Sequence, residues 1–324
     1  MTLDHDTQGV SQQPGPPASQ GAKHSVWFGP NGLRAGWRLV IYAIPLITLG
    51  FGVNFTLHRM FGPSLQSAIG QNPWAAIFLE CLNVVLFVGS ALVMARLEKR
   101  SFADYGLGWR SEGIKRFAEG TLWGFTGLSC LLLLMHAFGV FSYGRFTGFG
   151  TQTLYYGLLW GICFLLVGFA EEFGFRGYIQ YTLTSGISFW PAALVTSGIF
   201  LLAHTGNQGE TPVGLAQVFM AGFLLVVALR RTGALWFSMG IHLGWDWGQS
   251  FFYGVPDSGL ITRGHMFEGQ SHGAAWLSGG TTGPEGSLFA LLVELAFVPL
   301  ILWRFRSAKY PDPASLPKRP GAVI

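Results

Sequence analysis

Eight runs of mostly apolar residues limit what this chain can fold into more than any other feature. A helix needs about 20 apolar residues to cross the hydrocarbon core of a bilayer, and somewhat fewer when other helices flank it. Only 11% of the 324 residues are charged, whereas soluble domains carry about a quarter. The sequence therefore predicts an all-α, polytopic membrane protein with about eight transmembrane helices. The runs cover residues 37–58, 73–95, 117–140, 153–184, 190–204, 213–230, 233–253 and 287–304.

The distribution of basic residues predicts how the helices are oriented. Lys and Arg are enriched in cytoplasmic loops. With the N-terminus in the cytoplasm, most of the 20 Lys and Arg residues fall on the cytoplasmic side. Arg59, Arg145 and Arg263 then lie outside, and Arg176 lies within a span. Eight spans with both termini in the cytoplasm satisfy this rule, and we expect the protein in the cell (plasma or inner) membrane.

The polar ends of the chain delimit one membrane domain. Residues 1–32 are rich in Gln, Gly, Pro and Ser, a composition typical of disorder, and no signal peptide is evident there. Residues 307–324 contain repeated Pro and indicate a flexible cytoplasmic tail. The predicted transmembrane domain is therefore 33–306, with its polar motifs concentrated in 153–253.

Three stretches carry ionisable residues where the surrounding sequence is apolar. They are Glu171-Glu172-Phe-Gly-Phe-Arg176, Phe200-Leu-Leu-Ala-His204 and His242-Leu-Gly-Trp-Asp246. Charged groups within a membrane are costly, so such residues usually face a cavity or a partner and indicate a functional site. At 1.5 Å per residue, counted from the helix ends, all three stretches lie at a similar depth. We therefore expect them to form one site.

Helical spacing predicts the pairs within each stretch. Residues four apart share a helix face, so Glu172 can pair with Arg176, and His242 can stand beside Asp246. Glu171 is rotated about 100° away from Glu172 and is free to face a cavity. Phe200 shares a face with His204 and could separate the site from lipid.

This set of residues suits the hydrolysis of an amide. A carboxylate in an apolar pocket beside a second carboxylate is a suitable general base. Glu171 with His204 could position and deprotonate a water molecule, while His242 and Asp246 stabilise the oxyanion. Glu172 and Arg176 would support the site as an ion pair that compensates their burial.

The three stretches resemble the signatures of the CPBP intramembrane protease family. That family includes the type II CAAX prenyl endopeptidases and the bacterial Abi, or bacteriocin-immunity, proteins. Its pattern is Glu-Glu-x-x-x-Arg, then Phe-x-x-x-His, then His-x-x-x-Asn/Asp, and all three elements occur here in order over about 153–253. The flanks match loosely, through Gly36-Trp37-Arg38 and Tyr105-Gly-Leu-Gly-Trp109, and look more like a bacterial member.

The resemblance implies an eight-helix CAAX-protease-like fold and cleavage of a membrane-associated protein or peptide, with entry from the cytoplasm. It suggests Glu171 as the base, His204 as its partner on the water, and His242 with Asp246 at the oxyanion. Prenyl-protein proteases usually carry Asn at the place of Asp246. An ionised Asp is a poor oxyanion donor, so the role of Asp246 stays open.

Whether a metal takes part is undecided by the sequence. Glu171, His204, His242 and Asp246 are a plausible set of ligands for a divalent ion such as zinc. However, HExxH is absent, and water activated by a glutamate needs no ion. The metal-independent mechanism is slightly favoured.

Two other classes of function fit the same residues. A transporter or ion relay would use carboxylates and His for protons or cations, although no inverted repeat is visible. A non-catalytic, immunity-type membrane protein is the other alternative. Motifs of serine, site-2 and aspartyl intramembrane proteases are absent, and no basic stripe indicates binding of nucleic acid. The substrate, its prenylation and the oligomeric state are not readable from the sequence.

Overall fold

The computed structural model of the protein describes residues 26–29, 32–62, 69–108, 112–311 and 313. Within this part, five helices are long and apolar enough to cross a membrane. They are Ala35–Phe61 (α1), Pro73–Leu97 (α2), Gly113–Ala137 (α3), the continuous helix Thr151–Ile187, and Pro212–Thr232 (α7). The all-α, multi-pass architecture predicted from the apolar runs is confirmed.

The remaining three predicted spans are helical but shorter. They are Phe189–His204 (α6), Trp236–Trp247 (α8), which continues into the π-helical turn Gly248–Phe252, and Leu288–Arg304 (α10). Each is shorter than the roughly 20 residues with which a helix spans the hydrocarbon core. A helix lies at the position of all eight apolar runs, while the count of eight spans stays a prediction.

The helix 151–187 changes its hydrogen bonding at the charged cluster. It begins as an α-helix over Thr151–Glu171 (α4), becomes π-helical over Glu172–Ile179 and ends as Gln180–Ile187 (α5). Wider π turns inside α-helices are frequent at functional sites. The residues predicted to interrupt this span therefore alter its winding without breaking it.

The connection between α5 and α6 is tighter than the sequence suggested. The apolar runs 153–184 and 190–204 leave five residues between them, but Ser188 alone separates the two helices, with a positive φ of 68°. Thr182 and Thr196, on the facing helices, are fully buried. The helices pack as a hairpin, and Glu171 and His204 lie at similar distances along the chain from its turn.

Close contact of α3 with α8 fixes the helix that carries His242. A Cβ atom on Gly120 or Gly124 would collide with carbonyl oxygens of α8, and one on Gly240 or Gly244 with those of α3. Small residues at this spacing allow helix backbones to approach closely in membranes. The glycine pattern of α3 thus has a packing role, and its partner is α8.

A buried polar cluster joins α1 and α2 to the end of the long helix. Glu98 accepts hydrogen bonds from Arg38 at 2.6 Å and from the Tyr178 hydroxyl at 2.5 Å. Burial of such charges is tolerated when they are paired and hydrogen-bonded. Arg38 belongs to the Gly36-Trp37-Arg38 stretch, which loosely resembles the family. Its contacts hold the helices together and do not reach the motif residues.

The packed part of the chain extends beyond 33–306. Phe28–Gly29 (β1) pairs with Gly32–Leu33 (β2), within the tail that was predicted to be disordered. Tyr310 is buried, and Arg230 donates a hydrogen bond to its carbonyl oxygen. Contacts of the folded part therefore reach a few residues past 33 and 306, while residues 1–25, Trp109 and 314–324 lie outside the described residues.

The segment between α8 and α10 folds over one end of the helices. Phe141–Ser142 (β3) pairs with Gln270–Ser271 (β4), followed by the short helix Ala275–Ser278 (α9). A 3-10 turn, Pro284–Gly286, leads into α10. This segment contributes several polar side chains to the cavity described below.

Candidate active site

Glu172 and Arg176 form a buried ion pair at the π-helical segment. Arg176 Nη1 donates to Glu172 Oε1 at 3.0 Å, and both side chains are fully buried. The guanidinium also stacks on the Phe200 ring at 4.1 Å from its centroid. A charge buried in this way requires a partner, so the pair ties the long helix to α6.

His242 joins the carboxylates of the first motif to that of the third. Its Nδ1 lies 3.2 Å from Glu172 Oε1, while its Nε2 lies 3.3 Å from Asp246 Oδ2 and 3.6 Å from Glu171 Oε2. Ionised carboxylates only accept hydrogen bonds. The geometry therefore suits an imidazole ring whose Nδ1 donates to Glu172, while its Nε2 faces Glu171 and Asp246 at ion-pair distance.

Glu171 is the carboxylate of this group that faces open space. Its side chain is 29% exposed, against 0% for Glu172 and 13% for Asp246. Adjacent residues of a helix point in directions about 100° apart, so one glutamate can be buried while its neighbour is exposed. Glu171 is the member of the pair positioned to meet a ligand.

His204 is held by its own helix at the end of α6. Its Nδ1 lies 2.8 Å from the Phe200 carbonyl oxygen. A carbonyl oxygen only accepts, so Nδ1 must carry the proton and Nε2 is left free to accept one. The rings of Phe200 and His204 are 4.3 Å apart, which also fixes the orientation of the imidazole.

A cavity of about 360 Å³ brings the predicted residues together. Glu171, Phe200, His204, His242 and Asp246 all line it, whereas Glu172 and Arg176 lie behind its wall. Its volume is in the range typical of ligand sites. Much of the remaining wall is apolar, with side chains from α4, α7, α8 and α10: Phe164, Val167, Val218, Leu224, Leu225, Ile241 and Phe297.

Four further carboxyl groups line the same cavity and were not predicted as site residues. Asp257 and Glu285 come from the segment after α8, Glu210 precedes α7, and Glu294 lies in α10. Burial raises the pKa of Asp257 to about 6. Burial, and then the negative charge of Asp257, raise the pKa of Glu285 above its ordinary value. They lie outside the three motifs, in connections and a helix whose placement against the motif residues the local sequence does not predict.

The donor geometry does not fit the proposed metal set. Among the described residues, no group of three or more His, Cys, Asp or Glu side chains is arranged to hold a metal ion. His242 is surrounded by carboxylates at hydrogen-bonding distances, and His204 approaches the cavity from another helix. No step is therefore assigned to a metal.

The cavity reaches one end of the helices. Asn207, Glu210, Ser258, Thr282 and Gly286 line it there, and they belong to the connections before α7 and between α8 and α10. The distribution of basic residues places both connections outside, whereas the resemblance implies entry from the cytoplasm. In this fold the two expectations conflict.

The fold and the site define a multi-pass, all-α membrane protein with a carboxylate and histidine cluster in an apolar cavity. Residues 153–248 match the model of the family described as type II CAAX prenyl endopeptidase Rce1-like. The resemblance to the CPBP, or CAAX-protease, family is thus confirmed over the segment that holds all three motifs. No curated protein and no solved structure matches the chain significantly. The match covers this segment alone, and at the level of the family it supports an intramembrane endopeptidase.

Proposed function

We propose that this protein hydrolyses peptide bonds in membrane-associated proteins or peptides, with Glu171 and His204 activating the water. The observation that carries this proposal is the cavity itself. It exposes a carboxylate (Glu171), a histidine with a free Nε2 (His204) and a histidine held among carboxylates (His242) to the same space. These are the groups that general-base hydrolysis requires.

In the proposed reaction, Glu171 accepts the proton of a water molecule as its oxygen attacks the peptide carbonyl carbon. His204 Nε2 accepts the second hydrogen of that water as a hydrogen bond and orients its lone pair. The proton held by Glu171 then passes to the leaving nitrogen when the C–N bond breaks. One group serves as base and then as acid, so the proton balance closes within the site.

His242 is proposed to stabilise the oxyanion. Its Nε2 lies at the cavity side of the cluster, near Glu171 and Asp246, and an N–H group there can donate to the developing negative oxygen. Asp246 lies 3.3 Å from the same nitrogen and orients the ring. Because Nε2 carries a single hydrogen, the oxyanion would share that N–H with Asp246 or take its place as acceptor, and Asp246 need not itself donate. Glu172 and Arg176 fix the other side of the ring.

The proposal is tested by incubating the purified protein with a library of membrane-spanning and lipidated peptides and identifying products by mass spectrometry. Wild type should cut a subset of peptides, and His204→Ala should reduce the rate by about 10²-fold or more. A parallel arm with a chelator should leave the rate unchanged. If no peptide is cut while proteoliposomes show an ion flux that requires Glu171, the transporter alternative replaces the protease.

A further inference from the structure

Three carboxyl groups of the cavity have an oxygen that no neighbouring group satisfies. Oε2 of Glu210, Glu285 and Glu294 is buried without a hydrogen-bond partner in the described part of the chain. Glu285 is 8% and Glu294 is 4% exposed, and both line the cavity. An unpaired buried carboxylate oxygen costs free energy comparable to that of a lost hydrogen bond or more. Such atoms indicate that a ligand supplies the missing donor.

The other oxygens of these groups are held by the protein. Glu285 Oε1 accepts from the Ser258 backbone N–H at 2.5 Å, and Glu294 Oε1 accepts from Gln217 Nε2 at 2.6 Å. Asp257 Oδ2 accepts from the Ser250 hydroxyl at 2.9 Å. The carboxyl groups are therefore held in place with one oxygen each, which is how a preformed binding site presents its acceptors.

Among the described residues, no Lys or Arg forms an ion pair with the carboxyl groups of this part of the cavity. In the ranges that the structure describes, none of Glu210, Asp257, Glu285 or Glu294 takes part in an ion pair. The pKa of Glu285 is instead raised by burial and by the negative charges of Asp257, Asp246 and Glu210. Carboxylates this close repel one another, which disfavours their charged forms, and a cation bound between them would relieve that repulsion.

The acidic group is continuous with the catalytic residues. The charges of His242 and Glu171 act on the pKa of Asp257, and the charge of His204 acts on the pKa of Glu210. A peptide held at Glu171 would therefore place a neighbouring side chain within reach of these carboxyls. The described carboxyls do not converge on a point that could hold a metal ion, so an organic cation on a flexible chain fits them better.

We infer that Asp257 and Glu285 form a subsite for a Lys or Arg side chain of the substrate, next to the bond that is cut. This inference rests on the proposed protease function and adds the class of substrate. The apolar wall formed by α4, α7 and α8 would hold apolar residues, and the carboxyls would hold the basic one. The substrate is then an extended segment in which a basic residue adjoins an apolar stretch.

The test compares peptides that differ only in the charge of one side chain. A peptide that the protein cleaves is taken from the library. The position in it at which a change of side chain alters kcat/KM most is then made Lys, norleucine, Arg or citrulline. We expect kcat/KM for the Lys and Arg peptides to exceed that of their neutral counterparts on the order of ten-fold, as expected for one hydrogen bond to a charged group. Equal rates for each charged and neutral pair would overturn the inference and leave the protease proposal intact.

Variants link the preference to the named carboxyls. Glu285→Gln retains Oε1 as acceptor for Ser258 N–H, and Asp257→Asn retains one acceptor for Ser250, so both should fold. Each should remove most of the charge preference, so that the Lys-to-norleucine ratio of kcat/KM falls toward one. Glu268→Gln is the matched control, because Glu268 lies in the same segment, is exposed and pairs with Arg145. A preference unchanged in both cavity variants would also overturn the inference.

Binding measured by fluorescence polarisation decides the inference if the wild type cuts nothing. Tighter binding of Lys than of norleucine peptides, lost in Glu285→Gln and kept in Glu268→Gln, would support the subsite although the protease proposal had failed. Equal binding of the two peptides would overturn the subsite as well.

Discussion

His242 and Glu172 are in direct contact, with 3.2 Å between Nδ1 and Oε1. The same carboxylate oxygen accepts from Arg176 at 3.0 Å. One fully buried oxygen therefore serves both the ion pair of the first motif and the histidine of the third. The helical spacing within each motif did not reveal this connection, and it explains how the long helix and α8 keep their relative register at the site.

Removing Arg176 should destabilise the protein strongly. In Arg176→Met the Glu172 carboxylate stays buried without its guanidinium partner, which typically costs about 3–5 kcal/mol. Arg145→Met, which breaks the exposed pair with Glu268, should cost about 1 kcal/mol or less. Thermal unfolding in detergent measures both. Similar losses for the two variants would contradict the importance assigned to the buried pair.

Asp246 should be replaceable by Asn but not by Ala. The side-chain oxygen of Asn can still accept from His242 Nε2, so Asp246→Asn should keep cleavage within about ten-fold of wild type, because one hydrogen bond to a charged group is weakened at most. Asp246→Ala leaves the ring without this acceptor and should cost about 10² in kcat. Equally large losses in Asp246→Asn and Asp246→Ala would show that the charge of Asp246, and not its orienting contact, is required.

The preference for a basic side chain should weaken in acid. The pKa of Asp257 is raised to about 6 by burial, with Ser250 and His242 opposing and Glu171 adding to the shift. The group is charged above this pH and neutral below it, so the Lys-to-norleucine ratio of kcat/KM should fall between pH 7 and pH 5. Taking the ratio cancels pH effects of His204 or Glu171 on the reaction itself. The fall should be smaller in Asp257→Asn, and a ratio that rises in acid would be incompatible with the account.

Cysteine labelling tests from which side of the membrane the cavity opens, the point on which the basic residues and the family resemblance disagree. In a background without Cys81, Cys130 and Cys163, Asn207→Cys and Ser258→Cys sit at the cavity end formed by the connections. From the basic residues we expect a membrane-impermeant thiol reagent to label both in intact cells, and Lys99→Cys only after lysis. The opposite pattern would place the cavity on the cytoplasmic side and overturn the predicted orientation.

The sequence predicted the local parts of the site well. Apolar runs located the helices, and the four-residue spacing predicted the Glu172–Arg176 and His242–Asp246 contacts because both lie within single helices. The contact of α3 with α8 was predictable only in part. The glycine spacing in α3 indicates close packing, but it does not indicate which helix is the partner.

The rest depends on contacts between distant segments. The π-helical winding after Glu171 leaves no periodic signal of its own. Glu285 reaches the cavity because of how the segment after α8 folds back: Gly283, with φ of 125°, precedes the turn, and a Cβ there would collide with the Pro256 carbonyl. Sequence patterns within a few residues do not indicate how such a segment folds back onto distant helices.

Cleavage of a library-derived peptide by Glu171→Gln tests the central claim most directly, with Glu80→Gln as control. Both residues are carboxyls of membrane helices, but Glu80 is hydrogen-bonded by Asn83 and does not line the cavity. We expect Glu171→Gln to lower kcat by 10²- to 10⁴-fold, the usual contribution of a general base, and Glu80→Gln to cut like wild type. Cleavage by Glu171→Gln at the wild-type rate, with the same products, would contradict the assignment of the site.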